Sequence, residues 1–191
     1  MPKISAPTWS EHRAAQRVAL VHAAEEVLRH AGLAGINPRT VCERAGLARS
    51  SFYDYFPSKD DLLVAVAIGA FERWNRALED ALSGVEPGLA RLKALVDATM
   101  QMTAEGEHDV AAPLRQADLA PHHFEGLMAL HDELMRPVVE VIADLGVPHS
   151  DRFAMLAQGV LGSGIQLIQH GADPQATAAD VYQLLTAGLP R

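Results

Sequence analysis

The 191-residue chain is 49% hydrophobic but only 5% aromatic, so its core must be built from Ala, Leu and Val, a composition that favours helices over sheets. Its single cysteine, Cys42, excludes an intramolecular disulfide, no run is apolar for long enough to span a membrane, and the first ten residues lack the apolar stretch of a signal peptide; a soluble cytoplasmic protein is expected. The net charge of −8 is unevenly held: residues 1–59 carry eight basic and five acidic side chains, a net +3, which leaves a net −11 on residues 60–191.

The first helical pattern opens near Ser10, a good N-cap, with Glu11 at the positive end of the helix. Val18, Val21, Ala24, Leu28 and Ala31 recur at three- and four-residue spacings as an apolar stripe, and Gly32 supplies a left-handed stop. Asn37-Pro38 starts a second helix, with Asn as cap and Pro where its missing N–H costs nothing; Gly46 ends it. A third begins at Ala48 or Arg49 and must end by Phe56, because Pro57 disfavours helical backbone in the residue before it. Ser58 caps a longer fourth helix with Asp60 and Asp61 in its first turn and Leu62, Val66, Gly69, Ala70, Phe71, Trp74 and Leu78 along its apolar side. That helix fades in the linker 83–88. Further helices are predicted over about 89–105, 110–120, 122–145 (containing Pro137), 151–170 and 174–188. Strand-like alternation is absent, as is any repeat at a solenoid period. The chain is expected to be all-α, with about nine helices.

The block NPRTVCERAGLARSSFYDYFPSKDDLL, residues 37–63, carries the sharpest chemistry. Two short helices joined by a glycine turn cannot make a core alone, so Val41, Cys42, Ala45, Leu47 and Phe52 must pack on their neighbours, while Gly46 takes the positive φ of the turn. The second short helix then projects Arg49, Ser50, Ser51, Tyr53 and Tyr55 outward or along its flank. An arginine, two hydroxyls and two phenols suit base edges and backbone oxygens in a major groove. The basic head on an acidic body agrees with a protein that presents one end to phosphates.

This block, within residues 13–63, resembles the DNA-binding domain of the TetR family of regulators. A short helix opening with Arg, the Ala-Gly-Leu turn, Phe52-Tyr53, Tyr55-Phe56 and the Pro-Ser-Lys-Asp start of the next helix agree at fixed spacing. The resemblance implies that Arg39, with Thr40 beside it, reaches a base or phosphate. Arg49, Ser50 and Ser51 would read bases, Tyr53 and Tyr55 would meet phosphates or thymine methyls, and Lys59 would pair with a phosphate. Two departures stand out: Ala48 replaces a capping Ser or Thr, and Asp54 puts a carboxylate into the recognition helix. The organisation implied is a tail at 1–9, a three-helix DNA-binding domain at 10–57 with its helix-turn-helix at 37–56, and a larger helical effector-binding and dimerisation domain at 58–191.

Within the body, Gly159, Gly162, Ser163 and Gly164 interrupt an apolar helix. Glycine costs about 1 kcal/mol each there, so close helix approach is the expected return. With the last helix this would form half of a four-helix bundle across a two-fold axis, through Leu156, Gly159, Val160, Gly162, Ser163, Leu167, Val181, Leu184 and Leu185; an ordinary intrachain core is the competing reading. An effector pocket is expected among Trp74, Met100, Phe124, Met128, His131 and Met135, where Met fits irregular cavities and a His can orient one polar group. No metal site and no cofactor are expected. The function implied is a dimeric repressor released from a palindromic double-stranded DNA operator by a small molecule. A small helical enzyme and a DNA-binding regulator without an effector remain as alternatives.

Overall fold

The computed structural model describes residues 9–106, 117 and 119–189, including the side chains of all of these except 121–122 and 124–132. Among the described residues regular structure is helical throughout. The order is α1 Trp9–Gly35, α2 Pro38–Ala45, a 3-10 turn Arg49–Ser51 running into α3 Phe52–Tyr55, α4 Lys59–Leu82, α5 Leu89–Ala104, α6 Pro121–Asp144, α7 Ser150–Gln169 and α8 Pro174–Ala187. The all-α expectation holds, and the expected helix at 110–120 falls largely outside the described residues. No described helix is long and apolar enough to cross a membrane. The chain forms two compact units, with cuts between Gly69 and Ala70 in α4 and between Leu127 and Met128 in α6.

In the first unit, local chemistry sets most boundaries. Asn37 Oδ1 accepts from the Thr40 N–H at 3.0 Å, Pro38 occupies the first turn, and Gly46 closes α2 at φ 70°, ψ 27°. Ser58 Oγ accepts from the Asp61 N–H at 3.1 Å and donates to Asp61 Oδ2 at 2.6 Å, which caps the start of α4. Two details of α1 differ from expectation. It opens at Trp9, so Ser10 sits inside the first turn rather than at the cap; and Gly32 leaves the helix at φ 60°, ψ −165°, with a further turn to Gly35. The buried face of α1 is Leu20, Ala23, Ala24, Val27 and Leu28, whereas Val18 and Ala31 are exposed. Three- and four-residue spacing fits two neighbouring stripes, and packing against α2 selects the one through Leu20 and Val27. Val41, Cys42, Phe52 and Phe56 are all buried, as the helix-turn-helix requires.

In the second unit Trp74, Leu78, Leu95, Met100, Val141, Ala157 and Leu161 belong to one core, with α5 packed on α7 and α8. The glycines of α7 divide in two. A methyl on Gly164 would lie 2.9 Å from Met100 Sδ and from Val181 Cγ2, so Gly164 permits a close approach within the chain; at Gly159 and Gly162 a methyl would meet nothing within 4 Å. Val181, expected at a dimer interface, is therefore part of this chain's own core, buried where α8 meets Gly164.

Candidate nucleic-acid interface

The second short helix is one turn of 3-10 followed by one turn of α-helix, which is the weakest length for a helix in water. Ala48, at its N-cap, has extended backbone and makes no side-chain cap, so the first turn is closed by backbone bonds, the Ser51 N–H to the Ala48 carbonyl at 2.9 Å and the Phe52 N–H to the Arg49 carbonyl. Phe56, at φ −133° and ψ 112°, ends it as Pro57 dictates. Burial of Phe52 and Phe56 fixes which side faces inward. On the opposite side Arg49 and Ser50 are exposed, Tyr53 is 61% exposed and Ser51 is half-buried. Those four side chains share the side of this helix away from the buried rings.

The other expected contact residues are differently placed. Arg39 Nε donates to Glu43 Oε1 at 2.8 Å on the exposed side of α2, and this pairing holds its guanidinium protonated even more firmly than usual. The Thr40 hydroxyl accepts from Asn37 Nδ2 at 2.9 Å and so belongs to the cap of α2. Lys59 Nζ donates to the Leu33 carbonyl at 3.2 Å; an ammonium has three donors, so an anion still finds some free. Tyr55 turns the other way: half-buried, its hydroxyl donates to Gln16 Oε1 on α1. Asp54 is exposed, and its backbone carbonyl accepts from Arg13 Nη2 at 2.8 Å.

Three α1 residues thus join the site without having been singled out from the sequence. Arg13 also stands over the Tyr55 ring, 5.6 Å from its centroid, and Arg17 over the Phe56 ring at 5.1 Å. Their sequence signal was faint, a Gln and two Arg at three- and four-residue spacing ahead of the buried stripe. Further along α1, Glu26 accepts from Arg44 of α2 at 2.8 Å, and that hydrogen bond holds its carboxyl below the usual range. Burial pushes the Cys42 thiol up from its ordinary value, which suits a packing residue and not a nucleophile.

Of the expected pocket residues, Trp74 and Met100 are buried in the core of the second unit and Met135 is half-buried against it, while the side chains of Phe124, Met128 and His131 lie outside the described residues. An open groove of about 900 Å³ runs between α5 and α8, lined by Ala94, Asp97, Gln101, Ala178 and Tyr182 among others, and includes none of those six. On α7, Leu156 is 61% and Leu167 56% exposed; Gly159 and Ser163 are exposed too, and Leu184 of α8 is 41% exposed. Val160, Gly162 and Leu185 are half-buried. Phe153 and Met155, absent from the expected set, add exposed apolar surface on α7. Among the described residues no three His, Cys, Asp or Glu side chains converge as a metal site would.

The sequence model for bacterial regulatory proteins of the tetR family matches residues 20–66. No curated protein sequence matches the chain. Solved structures do. The chain superposes on a protein of unknown function from Rhodococcus sp. RHA1 with a TM-score of 0.77 at 21% identity, covering 100% of both chains. The transcriptional regulator FadR from Bacillus subtilis, in complex with stearoyl-CoA, gives 0.76 at 17% identity, with 91% of this chain and 99% of that one covered. The TetR-like transcriptional regulator LfrR from Mycobacterium smegmatis, in complex with proflavine, gives 0.66 at 23% identity, with 94% and 99% covered. At these identities the likeness establishes the shared fold.

Proposed function

We propose that the chain, whose residues 20–66 match the tetR-family sequence model, is a DNA-binding transcriptional regulator that works in the cytoplasm as a homodimeric repressor released from a near-palindromic operator by a small molecule. The observation that carries the DNA reading is the face Arg49, Ser50, Ser51 and Tyr53, left open on a short helix whose other sides are taken by buried Phe52 and Phe56 and by α1. Arg49 supplies a guanidinium fork for a guanine or a phosphate, and the two serines and Tyr53 supply hydroxyls. Arg39 and Lys59 flank this face as phosphate contacts. Arg39 would exchange Glu43 for phosphate, and Lys59 would share its ammonium between phosphate and the Leu33 carbonyl.

Support for the dimer comes from the uncovered face of α7 and α8 through Leu156, Gly159, Ser163, Leu167 and Leu184. A second copy across a two-fold axis would cover it and set two recognition helices about 34–36 Å apart, one turn of DNA. The effector is proposed to be a largely apolar molecule seated near Trp74, Met100 and Met135. The acyl chain of stearoyl-CoA and the fused rings of proflavine, ligands named with two structural neighbours, support an apolar part in such a molecule. Such a ligand releases the operator only if it prefers a dimer with different head spacing.

Selection from a randomised duplex library tests the proposal. The expected result is one enriched sequence with two-fold symmetry and half-sites about one turn apart. Enrichment of no sequence would refute it. Stearoyl-CoA and proflavine serve as first effector probes, read as a rise in thermal midpoint and loss of the enriched duplex; a regulator with no effector would be released by neither these nor a wider metabolite panel.

A further inference from the structure

We infer that Gln16, acting through Tyr55, is a positioning residue of the recognition helix: it fixes the rotation at which Arg49, Ser50 and Tyr53 are presented, without meeting DNA itself. The inference rests on the reading of Arg49–Ser51 and α3 as the DNA-reading element.

A two-turn element without a side-chain cap at Ala48 cannot hold its own orientation. Burial of Phe52 and Phe56 sets which side faces the head, but apolar contact is non-directional and leaves the finer rotation soft. Besides the Phe52 N–H bonded to the Cys42 sulfur, the directional contacts to its side chains and last carbonyls come, among the described residues, from α1. The Tyr55 hydroxyl donates to Gln16 Oε1, and Arg13 Nη2 donates to the Asp54 carbonyl at 2.8 Å, one of the acceptors a helix end leaves without an intrahelical partner. The Arg13 guanidinium also covers the Tyr55 ring. Arg13, Gln16 and Arg17 stand at three- and four-residue spacing and so share one face of α1. In this stretch, Trp9 to Val18, every side chain is exposed except half-buried Gln16. Tyr55, half-buried with its hydroxyl already engaged, is the part of the recognition element turned away from the open face.

The full chain and a duplex enriched by wild-type protein from a library of about 30 base pairs, long enough for two half-sites, test this against a scrambled duplex. Gln16→Ala and Tyr55→Phe each lower the ratio of enriched to scrambled affinity about 5- to 10-fold, the size of one lost hydrogen bond. The double variant falls no further than the weaker single, because both remove the same contact. Gln16→Glu, which keeps an acceptor for the phenol, retains the ratio. The slope of log affinity against log salt stays at the wild-type value in the uncharged variants, since no phosphate contact is lost. Circular dichroism and thermal midpoints confirm that each variant is folded; Gln16 lies on the surface of α1, and Tyr55→Phe keeps the ring. A wild-type ratio for Gln16→Ala overturns the inference, as does Tyr55→Phe weakening both duplexes equally. A wild-type protein that enriches no sequence overturns the parent reading and this one with it.

Discussion

Substituting the glycines of α7 separates contacts within the chain from contacts between copies. In an isolated helix Gly→Ala stabilises by about 1 kcal/mol. Gly162 has nothing within 4 Å of a new methyl, so in a single chain Gly162→Ala should realise that whole gain, about 2–4 °C in thermal midpoint for a chain of this size. Gly159→Ala should behave alike. At Gly164 the methyl would sit 2.9 Å from Met100 Sδ, which can swing aside, and 2.9 Å from Val181 Cγ2, which is β-branched and cannot. Overpacking of about 1–3 kcal/mol then cancels or exceeds the helix gain, and Gly164→Ala loses up to about 2 kcal/mol. If a second copy lies on this face, Gly159→Ala and Gly162→Ala instead push two helices apart and weaken the dimer about tenfold or more, roughly 1.4 kcal/mol. Sedimentation equilibrium, with thermal unfolding at several protein concentrations, reads both effects. A dimer through this face shifts toward monomer in Gly159→Ala and Gly162→Ala, and keeps its dimer constant, with lower stability, in Gly164→Ala. A rise of 2–4 °C at every concentration, with dimerisation unchanged, would refute the dimer face.

Phe52→Ala empties the centre of the head, since Phe52 is 1% exposed; a loss of about 3–5 kcal/mol is expected in urea unfolding, and a loss below 1 kcal/mol would contradict the packing. Ala48→Ser supplies the missing cap where the backbone is already extended, so it should raise head stability by about 0.5–1 kcal/mol, read by hydrogen exchange at residues 49–55. Because burial raises the Cys42 thiol above its ordinary 9.0, the folded state keeps the proton to higher pH than the unfolded one. The thiol's contribution is complete below pH 9.0 and is lost as pH rises through the folded value, so stability should decline above pH 9.0 in wild type and less so in Cys42→Ala. Native protein should also resist a thiol reagent that labels it fully in urea.

Boundaries were legible in the sequence wherever a local signal decides them. Asn37-Pro38, Gly46, Pro57 and Ser58 each fix a helix end through one side chain or one φ, and each stands where expected. What depends on a neighbour was not legible. Periodicity alone fits two stripes on α1, and it took α2 to bury Leu20 and Val27 in place of Val18 and Ala31. The same limit governs Tyr55, whose direction is set by Gln16 thirty-nine residues earlier, and Val181, whose place is set by the missing side chain of Gly164. Arg13 and Arg17 counted only as charge until the rings beneath them were placed.

The open face of the recognition helix is the centre of the account, and the affinity of Arg49→Ala and Tyr53→Ala for the enriched and scrambled duplexes tests it most directly. Arg49→Ala should cost about 1–3 kcal/mol on the enriched duplex and relax the preference at one base pair, with little change on scrambled DNA. If both variants bound both duplexes as the wild type does, this helix would not be the reader.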